Sequence, residues 1–340
     1  MDKNIKGDFV HLHTHSDFSI LDGALKIEKM VDAALRYEMP AVALTDHGNI
    51  FGAVSFFRRA KEKGLKPILG CEVYVAPGSR WDKNPDRTRP THFHLVLLVK
   101  NKTGYKNLCT LLTKGYLEGF YYKPRIDKEL LVHHSEGLIG LSACLKGEVS
   151  YYLTLGQEDL AEEAAREYAA FFSEGDFYIE IQDHGLEQQK EINPLLAGLA
   201  GRLDLPMVAT NDVHYLEKED AESHDVLLCI QTNKRVTDQD RIKFQTDEFY
   251  FKTYEEMASL FPDFPEALQN TVKIAERCNF EFPSSGYFLP NFNIPEGKSL
   301  ESFFDQVVDE GFQKRMEKLR PRISAGELRP IEVYEERLAK

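Results

Sequence analysis

Over roughly the first 280 residues, short apolar runs alternate with longer stretches whose apolar residues recur at helical spacing. Repeated βα units produce this pattern. The runs at residues 9–12, 41–45, 67–75, 93–99, 138–141, 177–181 and 206–210 predict about seven strands. Between them, residues 25–38 place Ile27, Met30, Val31, Ala34 and Leu35 on one stripe, as an amphipathic helix does. Residues 51–63 and 160–173 behave alike, and residues 77–90, with Gly78, Ser79, Asn84 and charges around Trp81, predict an exposed loop. After about Phe282 the pattern changes to Pro283-Ser284-Ser285-Gly286, a linker composition, and prolines 290 and 295 forbid a helix before Ser299. A helix over about 300–319 then carries Phe303, Phe304, Val307, Val308 and Phe312 along one side. A first domain over 1–285 is expected, with 286–340 as a linker and the start of another domain, too short to bury its own core.

A parallel sheet of βα units closes into a barrel or is doubly wound, and either form places its reactive groups beyond strand ends. No G-x-G-x-x-G follows the first run, and there is no P-loop and no G-x-S-x-G elbow. Nucleotide cradling by a glycine-rich turn and serine hydrolysis are therefore disfavoured. What the strand ends do carry is metal-binding chemistry. Phe9-Val10 leads into His11-Leu12-His13-Thr14-His15, and residues two apart on an extended chain share a face, so two imidazoles can grip one ion. A single H-x-H is also common in an ordinary strand. The second run, however, ends in Thr45-Asp46-His47-Gly48, where Gly48 permits a tight exit. In the third run Glu72 stands just beyond Pro67 to Gly70, while Cys144 follows the fifth run and Asn211-Asp212-Val213-His214 the seventh. His94 opens its run instead of ending it, and Asp22 is either a ligand or a cap for the helix near Leu25. Imidazole, carboxylate and thiolate together suit Zn, Mn or Fe better than Mg or Ca.

Composition narrows the class further. With 42 basic and 55 acidic residues the net charge is −13, the wrong sign for binding nucleic acid through surface charge alone, so such a role needs local positive charge. The five cysteines are odd in number and widely spaced, which argues against a disulfide framework. No stretch is apolar enough to span a membrane and no signal peptide is visible, so a cytoplasmic location is expected. His133-His134 reads as a surface turn, and the basic runs at 58–63 and 314–322 as solvated helix faces.

These residues make the chain similar to the polymerase and histidinol phosphatase (PHP) family, in the branch at the amino-terminal end of the alpha subunit of C-family bacterial replicative polymerases. Residues 102–108 and 120–127 look peculiar to that branch. The resemblance implies an α/β fold, a distorted seven-unit βα barrel followed by the start of a polymerase palm region. It implies that His13, His15, Asp22, His47, Glu72, His94, Cys144, Asp212 and His214 act through up to three transition-metal ions, with Zn ahead of Mn or Fe. His13, His15, Glu72 and Asp212 would share one ion, Glu72, His94 and Cys144 a second, and Asp22, His47 and His214 a third, leaving His11 behind the ligands. The implied activity is a 3′-to-5′ exonuclease that proofreads a DNA primer terminus, with Lys123 and Arg125 as candidates for gripping phosphate. Alternatives are a structural or docking module stabilised by metal and a small-molecule phosphoesterase. The expected partners are DNA, the remainder of the polymerase alpha subunit and, through regions outside this chain, replisome subunits such as the sliding clamp. No polymerase activity is expected, because the one Asp-x-Asp, Asp238-Gln239-Asp240, sits in a polar stretch, and the end of the chain reads as cut from something longer.

Overall fold

The computed structural model describes residues 8–83, 90–283, 290 and 292–339, so Ser284 to Gly286 of the expected linker stretch, and residues 84–89 of the expected loop at 77–90, lie outside the described residues. Two units are distinguished, one through Phe282 and one from Pro283 onwards. The first contains strands β1 (Ala41–Leu44), β2 (Lys66–Val75), β3 (Phe93–Val99), β4 (Arg125–Ile126), β5 (Leu138–Leu141), β6 (Phe177–Ile181) and β7 (Met207–Ala209). They form one sheet in the order β1-β2-β3-β5-β6-β7, with β4 paired to β2.

Two departures from the sequence expectation determine where the chemistry sits. The run at 9–12 is not a strand. Its chain instead spans the sheet's two outer edges: the Ala43 and Thr45 amides donate to the carbonyls of His11 and Thr14, both at 2.9 Å. On the other side His15 donates to Val213 at 2.8 Å and Val213 to His13 at 3.1 Å. Partners on both flanks satisfy this buried backbone without a regular ladder, and they bend the sheet into a barrel. The second departure is that β3 runs antiparallel to both β2 and β5, whereas β1–β2, β5–β6 and β6–β7 are parallel. An antiparallel neighbour needs no helical crossover. Reversal brings the beginning of β3 to the rim formed by the carboxyl ends of the parallel strands, and His94 pairs with Tyr74 there.

Alternation along the strands then separates core from site. Ala41, Ala43, Ile68, Val96, Leu98, Ile139, Leu141, Tyr178 and Val208 fill the interior of the barrel. Farther toward the rim the same faces turn polar: Glu72 beyond Ile68 and Gly70, His94 before Val96, and Glu180 beyond Tyr178. The opposite faces of the strands pack under helices such as Ile27–Arg36 and Ala53–Glu62, through Met30, Val31, Phe56 and their neighbours. Glu72 lies inside β2 and not just past its end, because that strand continues from its parallel pairing with β1 into antiparallel pairing with β3.

The second unit holds helices Leu300–Ser324 and Ile331–Leu338. The first is capped by Ser299, whose hydroxyl accepts from the Ser302 amide at 3.1 Å, and it runs one turn past the expected end at 319. Among the described residues, no helix is long and apolar enough to cross a membrane.

Candidate metal centre

Glu72 stands at the middle of the rim with four imidazoles around it. Its Oε1 lies 2.8 Å from His94 Nδ1 and 3.3 Å from His13 Nε2. Its Oε2 lies 2.5 Å from His47 Nδ1 and 3.9 Å from His15 Nε2. Asp212 Oδ1 approaches His15 Nε2 at 2.9 Å, His13 Nε2 at 3.3 Å and His214 Nδ1 at 3.6 Å. Asp22 Oδ1 is 3.4 Å from His47 Nε2, and Cys144 Sγ is 3.8 Å from His94 Nδ1 and 3.9 Å from Glu72 Oε1. All nine candidate ligands are thus brought to one place. Asp22 is no helix cap: the cap position is Lys26, and the Asp22 carboxylate faces His47.

Three subsets have ligand atoms within 4.8 Å of one another: His13, His15 and Asp212; His47, Glu72 and His94; and His15, His47 and His214. His47 therefore stands beside Glu72 as well as beside Asp22, so the nine groups form one continuous cluster. Their geometry fits cations. His13 Nε2, His47 Nδ1, Asp22 Oδ1 and Glu72 Oε2 are buried with no hydrogen-bond partner, and the 2.5 Å approach of His47 to Glu72 lacks hydrogen-bond alignment. Buried polar atoms left unpaired are costly, and lone pairs converging on shared space are satisfied by a metal ion.

Electrostatics keeps the carboxylates and His15 in ligating form. Burial alone would raise Glu72, but His94, His47 and His13 outweigh it and hold the carboxyl well below its usual range. Asp212 is likewise held down against burial by His13 and His214. Burial, with His47 and His214 nearby, lowers His15 to about 3, so its ring is neutral. His47 goes the other way: against burial, Asp22 and Glu72 raise it to about 10. Burial and Glu72 push the Cys144 thiol well up, so this group becomes a thiolate only when a cation compensates it.

A supporting layer escaped the reading of the sequence. His13 Nδ1 donates to Glu180 Oε1 at 2.7 Å, which aims Nε2 at Glu72 and Asp212. Gln182 donates to the same oxygen at 2.8 Å. The available signal was a lone carboxylate inside the apolar run of β6. Asp46 accepts from the Ser16 amide at 2.7 Å and the Ser19 hydroxyl at 2.8 Å, and Ser19 Oγ accepts from His15 Nδ1 at 3.2 Å. His224 Nε2 donates to the Asp22 carbonyl at 2.7 Å. Gly23, beside Asp22, leaves no room for a side chain, since a Cβ there would lie 1.8 Å from the Ser16 carbonyl oxygen. Gly23→Ala is expected to cost about 1–3 kcal/mol, read as a lower urea midpoint.

Other candidates fall elsewhere. His11 donates to the Lys252 carbonyl at 2.8 Å between the rings of Phe9 and Phe251 and does not support a ligand. Arg125 departs from its expected role: it is buried, and its guanidinium donates to the carbonyls of Gly119, Thr91 and Asp82 at 3.2, 3.1 and 2.6 Å. That side chain holds loops together and is not directed at phosphate. Lys123 does reach the rim, 5.3 Å from the Tyr74 ring centre, and lines a cavity with Asp22 and His47. His133 is exposed and His134 half-buried, at the surface as expected.

His184 stacks on Phe249 at 3.8 Å, donates to the Asn211 carbonyl at 2.9 Å and is lowered to about 4 by burial. A base depressed in the fold binds protons more readily when unfolded, so its contribution to stability is complete above about pH 6.5 and is lost as pH falls toward 4. The loss at pH 5 is about 2 kcal/mol. Urea unfolding at pH 7 and 5 should reveal it, with a smaller difference in His184→Gln.

Residues 11–184 match the PHP domain model, and the chain belongs to the PHP domain family. It is 50% identical over 308 residues to the DNA polymerase III subunit alpha of Treponema pallidum, covering 90% of this chain and 26% of that one. The corresponding subunit of Thermus aquaticus is 44% identical over 316 residues, covering 90% and 26%. The chain therefore spans about a quarter of the length of these relatives. Among solved structures, an amidohydrolase from Chromobacterium violaceum superposes with a TM-score of 0.41 at 18% identity, over 61% of this chain and 88% of that one.

Proposed function

We propose that this chain is the PHP domain at the amino-terminal end of a bacterial replicative polymerase alpha subunit, and that it removes nucleotides from a 3′ DNA end by metal-dependent phosphodiester hydrolysis. The observation that carries this reading is the convergence of nine ligating side chains, several with unpaired buried atoms, beneath an open cavity of about 420 Å³. His13, His15, Asp22, His47, Glu72, His94, Cys144, Asp212 and His214 would hold up to three transition-metal ions, Zn first, with Mn and Fe as the other candidates. Bound there, the ions supply positive charge to the phosphodiester oxygens and lower the pKa of the attacking water.

The protein's own part is orientation and exclusion. Glu180 holds His13 in the tautomer that leaves Nε2 toward the centre. Ser19, itself held by Asp46, fixes the His15 ring from its other nitrogen. Burial of Glu72 among imidazoles keeps bulk water from competing for its oxygens. At the mouth, Lys146 and Lys243 offer positive charge to phosphates, which a chain of net charge −13 otherwise lacks.

Residues 286–340 are read as a linker and the opening of the palm region, and the partners as the rest of the alpha subunit and replisome subunits, such as the sliding clamp, in the cytoplasm. Purified chain with Mn or Zn should shorten a 5′-labelled primer and act poorly on a phosphate monoester. Retained metal without any shortening would favour a structural or docking module instead, and preference for the monoester would favour a small-molecule phosphoesterase. Primer extension with deoxynucleotides and Mg is expected to be absent, since Asp238 and Asp240 lie in a loop after helix Ala221–Thr232 and not on a strand.

A further inference from the structure

The centre opens on two cavities that share Leu21, Asp22 and His47 but differ in chemistry. The larger, about 420 Å³, carries Lys146, Arg241 and Lys243. Arg241 is engaged with Asp225 through two contacts of 2.5 and 2.8 Å, so the charge this cavity offers a ligand is that of the exposed Lys146 and Lys243. The smaller, about 270 Å³, is walled by Phe51, Tyr74 and Tyr116, with Lys123 beside them. Phe51 is 61% exposed and Tyr116 42%. Large aromatic side chains left open at the mouth of a cavity mark a binding surface.

We propose that the smaller cavity seats the terminal nucleobase of a single-stranded DNA end whose preceding phosphates lie along the lysine-bearing cavity on the other side of the metal centre. This rests on the nucleic-acid reading above. Every base presents a π face, so aromatic walls accept any terminal nucleotide without reading its sequence, as an enzyme that trims arbitrary ends requires. Lys123, over Tyr74 and in the same cavity as Asp22 and His47, supplies the single positive charge that one flanking phosphate needs. A protein segment docking on Phe51 and Tyr116 would bury aromatic surface equally well. It would have no use for a lysine and two candidate metal ligands in the same cavity. The scissile linkage would then lie where the two cavities meet, over Asp22 and His47, with the base to be released on the aromatic side.

The test uses the full chain loaded with Mn and an oligonucleotide carrying 2-aminopurine at its 3′ end, with a phosphorothioate linkage to slow hydrolysis. Binding should quench the fluorophore by stacking. Phe51→Ala/Tyr116→Ala should bind the same oligonucleotide roughly 5- to 150-fold more weakly and with little quenching, at unchanged metal content and circular dichroism. Binding by the wild type without quenching, or equal binding by the double variant, would overturn the proposal and make the patch a protein-docking face. Quenching by the wild type with no hydrolysis of an unmodified end would support the base seat and overturn the hydrolytic reading alone.

Discussion

Asp212→Asn and His47→Ala are each expected to abolish primer shortening, with rates falling on the order of 10³-fold or more, the several kcal/mol that metal-assisted charge stabilisation contributes. Asp212 is the carboxylate that His13, His15 and His214 approach together, and asparagine keeps its size while removing its charge. His47 joins Glu72 to Asp22, so alanine disconnects two parts of the cluster. The fold should survive both changes, because the barrel interior from Val10 to Cys278 is apolar and lies below the rim. Time courses of primer shortening, metal content and circular dichroism on each variant supply the check. Wild-type rates in well-folded variants would exclude these residues from the site. Cys144→Ser should lose less, because Cys144 stands 3.8 Å from His94 and 3.9 Å from Glu72, at the edge of the cluster.

Glu180→Leu should weaken metal binding about 10- to 100-fold, as loss of a carboxylate behind a ligating histidine does. The cause is orientation. Glu180 is buried and touches His13 through Nδ1 alone, so leucine frees the ring to turn or to change tautomer. Glu180→Gln keeps an oxygen that accepts from Nδ1 and should recover most of the affinity, which a merely space-filling role does not predict. Calorimetric titration of metal-free protein with Zn reads the effect without any nuclease assay. Equal affinity in the leucine and wild-type proteins would sink the orienting role.

How far the sequence could be read depended on whether each residue's role was local. Helix Ile27–Arg36 was legible from its own apolar stripe, and strands β2, β3, β5 and β6 from runs of apolar residues. The ligand candidates were legible because His, Asp, Glu and Cys cluster around those runs, and no rearrangement of the fold changes which atoms they can offer. Gly48 was legible as the sharp exit after His47, and it does adopt a positive φ of 63°. The role of Arg125 was not, since a guanidinium looks the same in sequence whether it meets phosphate or three carbonyls brought in from residues 82, 91 and 119.

By itself, then, the sequence determined the α/β class, the supply of ligating atoms and the change of pattern near residue 283, because each follows from side-chain chemistry and short-range periodicity. The tertiary structure alone decided three things. The reversal of β3 put His94 on the same rim as the other ligands, and that direction depends on which strands it pairs with. Residues 9–16 became an irregular closing segment because their backbone finds partners on β1 and beyond β7, some 30 and 200 residues away. Glu180 became the support for His13 across 167 residues of chain, a contact that only closure of the barrel creates.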